Sequence, residues 1–161
     1  MSAHMSLSVS VAVVGAIATY VWGQWDTYNV WIGFIAWAAF LANNNCMKTT
    51  VQSGVMGAVL AGIAFILMGS GIADSLGGAS AAVIVGVTVF ALVWLTSMPM
   101  FTSATTAVYT YAATVGYALG TSSTGAFQEM SMSNPLATVI VSIVGGCLFA
   151  MAANKLNAAI S

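Results

Sequence analysis

The chain has 161 residues, 60% of them hydrophobic and 3% charged, with a formal net charge of -1, whereas a soluble domain carries about 25% charged side chains. Two lysines and three acids cannot solubilise a surface of this size, and mean hydropathy is +1.00. The composition excludes a soluble single-core domain and, for want of a basic patch, nucleic-acid binding. An integral membrane protein is what remains.

A helix needs roughly 20 apolar residues to cross a hydrocarbon core of about 30 Å. Met1-Ser2-Ala3-His4-Met5 reads as a cloning junction before a second plausible start, which makes His4, the one histidine, suspect. The first apolar window, 7–22, lacks a basic leader and is expected to be a retained span, not a signal peptide. The second, 28–42, is short and either stands steeply or ends within the headgroup layer. Four more follow at 51–68, 79–95, 101–119 and 136–153. The breaks carry turn chemistry: Gly23–Thr27, Asn43-Asn44-Asn45, Gly69–Gly78, Ser97-Met98-Pro99 and Thr121–Asn134. Pro135 after Asn134 suits a cap and a first helical turn. The windows predict an all-α integral membrane protein, one domain over residues 1–161. It is a bundle of about six transmembrane helices, since each backbone must satisfy itself in lipid.

Alternation through six spans places Asp26, Asp74 and Glu129 in the first, third and fifth breaks. Lys48 falls in the second break and Lys155 after the last helix. All acids then share one side and both lysines the other, so the positive-inside rule puts both termini in the cytoplasm. Trp22, Trp25, Tyr28 and Trp31 gather at the outer end of the first hairpin, as an aromatic belt or a solute-selecting mouth. An internal echo relates Ile32-Gly33-Phe34 through Ala42 to Val85-Gly86-Val87 through Leu95, which would make a parallel repeat.

None of the expected spans contains Asp, Glu, Lys, Arg or His. Proton-coupled antiport uses an intramembrane acid or His, so it is not expected here. No base stands beside a nucleophile, which argues against an enzyme. Cys46 and Cys147 with one doubtful His assemble neither a disulfide framework nor a metal site, and no cofactor is implied. The membrane-embedded polar residues are neutral. On the fifth span Ser103, Thr106, Thr110, Thr114 and Tyr117 recur at helical spacing, flanked by Thr102, Thr105 and Tyr109. Such a stripe either lines a path for an uncharged solute or bonds its own helix carbonyls. Asn43, Asn44 and Asn45 offer donors and acceptors for a selective constriction, or simply cap a helix. Pro99 and Phe101 mark the corresponding later break, where a proline can free a carbonyl. The small-residue faces Ser142-Gly146-Ala150 and Gly54-Ala58 are read as helix packing.

The run Val30-Trp31-Ile32-Gly33-Phe34-Ile35-Ala36-Trp37-Ala38-Ala39-Phe40 resembles a family of small bacterial inner-membrane proteins typified by YcdZ, whose domain carries an unknown-function label. That family also has a Phe-x-Pro-Gly-x-Phe-like break. Ser97-Met98-Pro99-Met100-Phe101 keeps the proline and the last phenylalanine but has Met100 in place of the glycine. The resemblance spans nearly the whole chain and implies an inner-membrane bundle with no settled activity. The expected function is a passive channel or facilitator for small neutral polar solutes such as urea, amides or water. Its path would run along the Thr/Tyr stripe, narrowed by aromatic side chains such as Trp37. The alternatives are a cation or metal-ion path fed from a mouth at Trp25, Asp26 and Asp74, and a non-transporting assembly partner. A homo-oligomer within the lipid bilayer is expected.

Overall fold

A computed structural model of the chain describes residues 2–129, 131 and 134–161. Met1 of the suspected junction, and residues 130, 132 and 133 of the fifth break, lie outside them. Among the described residues there are seven α-helices: α1 (Ala3–Trp22), α2 (Val30–Ala42), α3 (Met47–Met68), α4 (Gly71–Leu76), α5 (Ser80–Leu95), α6 (Ala104–Gly120) and α7 (Pro135–Ile160). Short 3-10 turns occupy Gly77–Ala79 and Thr124–Gln128. No strand occurs among the described residues. Ser2, Asn29, Ser70, Ser103 and Asn134 cap α1, α2, α4, α6 and α7, each accepting a first-turn N–H on its side-chain oxygen.

Among the described residues four segments are, by length and composition, long and apolar enough to cross a membrane: Ala3–Trp22, Met47–Met68, Gly71–Leu95 and Pro135–Ile160. They mark a multi-pass membrane protein. Several expected boundaries move outward, because polar ends of a helix lower a hydropathy window without breaking the helix. His4 and the suspected junction fall in the first turn of α1. Lys48 lies in the first turn of α3, not in a loop, and Lys155 lies within α7 rather than after it. Asp74 sits in α4, while Phe101 and Thr102 stay in the break before α6.

Hydrogen bonds between helices fix their directions. The Asn29 N–H, at the start of α2, donates to Ser142 Oγ early in α7 (2.8 Å). Asn154 Nδ2, late in α7, donates to Asn45 Oδ1 just past the end of α2 (3.0 Å), so α2 and α7 run parallel. In the same way the Ser103 N–H, at the start of α6, donates to Ser53 Oγ early in α3 (3.2 Å). Gly62, further along α3, faces Phe127 beyond the end of α6, so these two also run parallel. Asn43 at the end of α2 bonds Thr106 in the first turn of α6, which makes α2 antiparallel to α6. The charges follow: Asn45 and Asn154 bring the neighbourhoods of Lys48 and Lys155 to one end, with Asp26 and Glu129 at the other.

Two bundles result. In the first, Val14 of α1, Trp37 and Phe40 of α2, and Cys147, Ala150 and Ala153 of α7 share a core. In the second, Met56, Ala61 and Ala64 of α3, Ile84 and Leu92 of α5, and Ala107 and Tyr111 of α6 share another. A third cluster lies where the bundles meet, drawing Ile32 and Ala36 from α2, Ala58 from α3, and Val139 and Ile143 from α7.

The two bundles are built to one plan. A Cβ on Gly146 of α7 would run into the Gly33 carbonyl of α2, and a Cβ on Gly57 of α3 would run into the Ala107 carbonyl of α6. Asn29 with Ser142 and Ser103 with Ser53 make the same hydrogen bond one turn earlier. In that register the buried residues Ile32, Gly33, Ala36, Trp37 and Phe40 of α2 correspond to the buried Thr106, Ala107, Thr110, Tyr111 and Thr114 of α6. Along α3 and α7 the pairs Thr49/Thr138, Ser53/Ser142, Val55/Val144, Gly57/Gly146, Ala61/Ala150 and Ala64/Ala153 are identical. The repeat is therefore α1-α2-α3 against α5-α6-α7, and the antiparallel α2 and α6 make it an inverted one. The parallel echo between α2 and α5 is replaced: a short Gly-rich pattern matches many apolar helices, whereas matched contacts select one partner.

Candidate functional site

The three asparagines after α2 form a tight turn. Asn44 (φ 53°) and Asn45 (φ 61°) both take the left-handed conformation, which Asn tolerates better than most residues. This turn aims Asn43 inward at the junction of the bundles. Its Nδ2 donates to Thr106 Oγ1 of α6 (2.8 Å) and to Thr50 Oγ1 of α3 (3.0 Å). Thr50 gives its own proton to the Cys46 carbonyl (3.0 Å), so its oxygen is free to accept the amide. Thr106 Oγ1 also lies 2.8 Å from Ser103 Oγ. Thr50 and Thr106 are buried, and Asn43 is half-buried. The result is a chain of neutral donors and acceptors, Ser103–Thr106–Asn43–Thr50, joining α6, α2 and α3.

The rest of the threonine stripe faces the packed interior of the second bundle. Thr110 donates to the Thr106 carbonyl (3.0 Å) and Thr114 to the Thr110 carbonyl (2.7 Å), the back-bonding open to any helical threonine. Thr110 packs against Gly54 and Gly57 of α3. Tyr109 is on a flank of α6, exposed beside a recess of about 400 Å³ shared with Ile35, Ala38 and Ala112. Tyr117, one end of the stripe, borders a recess of about 310 Å³ with Asn29, Trp31, Ile32 and Gly116. Thr102 and Pro99 are exposed in the break, and Phe101 packs onto the second bundle's core. Trp37 is buried in the first bundle's core. Asn44 is exposed, and Asn45 is tied to Asn154.

At the other end Trp25, Asp26 and Asp74 are exposed. Trp22 and Trp31 meet edge to face at 6.2 Å, both outward, as belt residues do. Every ionisable Asp, Glu, Lys and His side chain among the described residues is exposed, so no formal charge enters the interior. No group of three His, Cys, Asp or Glu side chains able to hold a metal occurs among the described residues. Cys46 is exposed, and the Thr49 hydroxyl 3.3 Å from its sulfur holds its thiol below the ordinary value.

Sequence reasoning missed Thr50, Ser53, Gly57, Gly33 and Asn29. Their signal lay in pairs, a Ser followed by a Gly one turn later on both α3 and α7, which no single helix discloses. A family model described as a protein of unknown function (DUF1097) matches residues 8–158. No curated protein and no solved structure matches the chain.

Proposed function

We propose that this chain, which belongs to the DUF1097 family of proteins of unknown function, is a membrane facilitator for small uncharged polar solutes of the urea, amide or water kind. One observation carries the reading: the hydrogen-bonding groups gathered between the bundles are neutral amides and hydroxyls, and every formal charge lies at the periphery. An ion would find no counter-charge to offset its lost hydration, whereas a neutral solute can trade water for amide and hydroxyl partners at little net cost.

In this reading α2 and α6, of 13 and 17 residues, complete a set of six crossings. Thirteen residues span about 20 Å, less than the hydrocarbon core, so α2 crosses only with its flanking turns inside the headgroup layer. The lysine-bearing end, with both termini, faces the cytoplasm. The likeness to YcdZ-type proteins favours a bacterial inner membrane, in which the exposed apolar flanks of α1 and α5 would meet lipid or further copies.

The test is stopped-flow permeability of proteoliposomes to water, urea, formamide and glycerol, with a potassium-gradient control. Selective flux of a neutral solute, reduced by Asn43→Leu and by Thr106→Val, is the expected result. Vesicles as tight as protein-free ones for every solute, with folded and oriented protein verified, overturn the proposal.

A further inference from the structure

We infer that the two three-helix bundles are the moving parts of an alternating-access carrier, that its path runs along the surface where they meet, and that Asn43 is the latch of one end. The cargo rests on the function proposed above; the motion is argued from the helices alone.

Four observations converge. First, within each bundle the paired helices touch backbone to backbone, at Gly146 on Gly33 and Gly57 on Ala107. Each pair therefore behaves as one body. Second, between the bundles the contacts are side-chain contacts of modest size, through Ile32, Ala36, Ala58, Val139 and Ile143. Such a surface can part without breaking a helix. Third, the inverted repeat maps one bundle onto the other, with Gly54 of α3 and its counterpart Ile143 of α7 in mutual contact at the pivot. Two bodies with one shape and opposite directions have two equivalent ways to lean on each other, which is how inverted-repeat carriers expose one site to each side in turn. Fourth, α2 and α6, of 13 and 17 residues against 20 or more in each of the four long apolar segments, hold corresponding places in the two halves, and such pairs flank the path in this architecture.

The ends are closed differently. At the lysine end Asn43 belongs to the first bundle, and both its acceptors, Thr50 and Thr106, belong to the second. These bonds cross the sliding surface. By the repeat, Asn43 corresponds to Tyr117 and Thr106 to Ile32; at that far end Tyr117 packs against the junction cluster and, with Ile32 and the outward Trp31, borders a recess of about 310 Å³ between α2 and α6. That volume exceeds several times the roughly 30 Å³ share of one water. Between α2 and α6 the observed state is thus latched at the lysine end and indented at the acid end. Leaning the other way would open the Asn43 end and close Ile32 onto Tyr117.

The experiment reads both ends separately, in proteoliposomes of a Cys46→Ser, Cys147→Ala background. Val51→Cys, at the half-buried position after Thr50 that packs against the junction, reports the latch end, and Gly116→Cys, which lines the far recess and leaves Tyr117 in place, reports the far end, each labelled by a water-soluble maleimide, with and without Asn43→Ala. Losing two neutral hydrogen bonds shifts the balance of states by about tenfold. The expected result is faster labelling at Val51→Cys and, with Asn43→Ala likewise present, slowing of about twofold or more at Gly116→Cys. Thr106→Val, which removes one acceptor, should move both rates in the same directions by less, and it serves if Asn43→Ala does not fold. Faster labelling at both ends, or an unchanged far end, overturns the inference. Opposite shifts without any solute flux would instead overturn the proposed cargo and leave the motion standing.

Discussion

The close approach of α3 to α6 and of α7 to α2 gives the sharpest prediction about stability. A Cβ at Gly57 would lie closer to the Ala107 carbonyl oxygen and the Thr110 hydroxyl than real Cβ contacts allow, and a Cβ at Gly146 would lie equally close to the Gly33 carbonyl. Both obstacles include backbone, so no rotamer change clears them. The helices must part by about 1 Å, and a radial gap of 0.5–1 Å forfeits roughly a quarter to a half of each contact's attraction. Overpacking of this kind costs about 1–3 kcal/mol, set against about 1 kcal/mol of helix propensity gained from Gly→Ala. Gly57→Ala and Gly146→Ala should therefore lower stability by up to about 2 kcal/mol each, or up to about 8 °C in Tm. A methyl group added at Gly86 or Gly116 would meet nothing within 4 Å, so Gly86→Ala and Gly116→Ala supply the control and should hold or raise Tm. The assay is thermal unfolding of purified protein in mild detergent, followed by tryptophan fluorescence and monodispersity. If Gly57→Ala and Gly146→Ala are as stable as the two controls, the backbone contacts that define the bundles are wrong.

Four further outcomes are expected. Ser53→Ala and Ser142→Ala each strip the acceptor from a helix-start N–H, and each should cost about 1 kcal/mol in the same unfolding assay, with matched magnitudes if the repeat is real. Asp26→Asn with Asp74→Asn removes two exposed acids from the periphery and should leave neutral-solute flux unchanged; loss of flux would favour the cation reading. Thr49→Val removes the hydrogen bond that holds the Cys46 thiol below its ordinary value. A lower pKa means more thiolate at a given pH, so the variant's alkylation profile at Cys46 should move to higher pH, and an unmoved profile would deny that bond. An enzyme reporter fused after Ile160 should be active only in its cytoplasmic form, and periplasmic activity would reverse the orientation.

The membrane class and the helical character were legible at once, because hydropathy is a local sum and lipid leaves the backbone few choices. Helix ends were less so. Lys48 and Lys155 look like loop residues in a sliding window, yet each sits near a helix end where a long side chain reaches water. The threonine stripe was legible as a pattern but not in its environment: α3 covers Thr106, Thr110 and Thr114, and nothing in α6 alone distinguishes a helix partner from a water-filled path. Asn43 was picked out for its amide. Its acceptor Thr106 was picked out separately, and only the fold joins them across 63 positions.

The inverted repeat escaped for a reason that bears on function. On α3 and α7 the two copies keep residue identities, since both must offer a Ser acceptor and a bare Gly to the neighbouring helix. On α2 and α6 they keep burial but neither identity nor size, and the chemistry changes: Thr106 against Ile32, Thr110 against Ala36, Asn43 against Tyr117. A structural repeat with no further task would tolerate the same residues in both copies. Here the polar members of these pairs fall on the second bundle or on the turn that latches onto it, so one end is joined by hydrogen bonds and the other by apolar contact. Two closures of different chemistry give the two leaning states unequal free energies and unequal responses to a polar solute. In the proposed carrier a neutral solute that hydrogen-bonds Thr106 would compete with Asn43 for the same oxygen and loosen the latch by occupying it; an apolar molecule of the same size would have no such hold. Selection for hydrogen-bonding cargo and release of the closed end would then be one event at one hydroxyl.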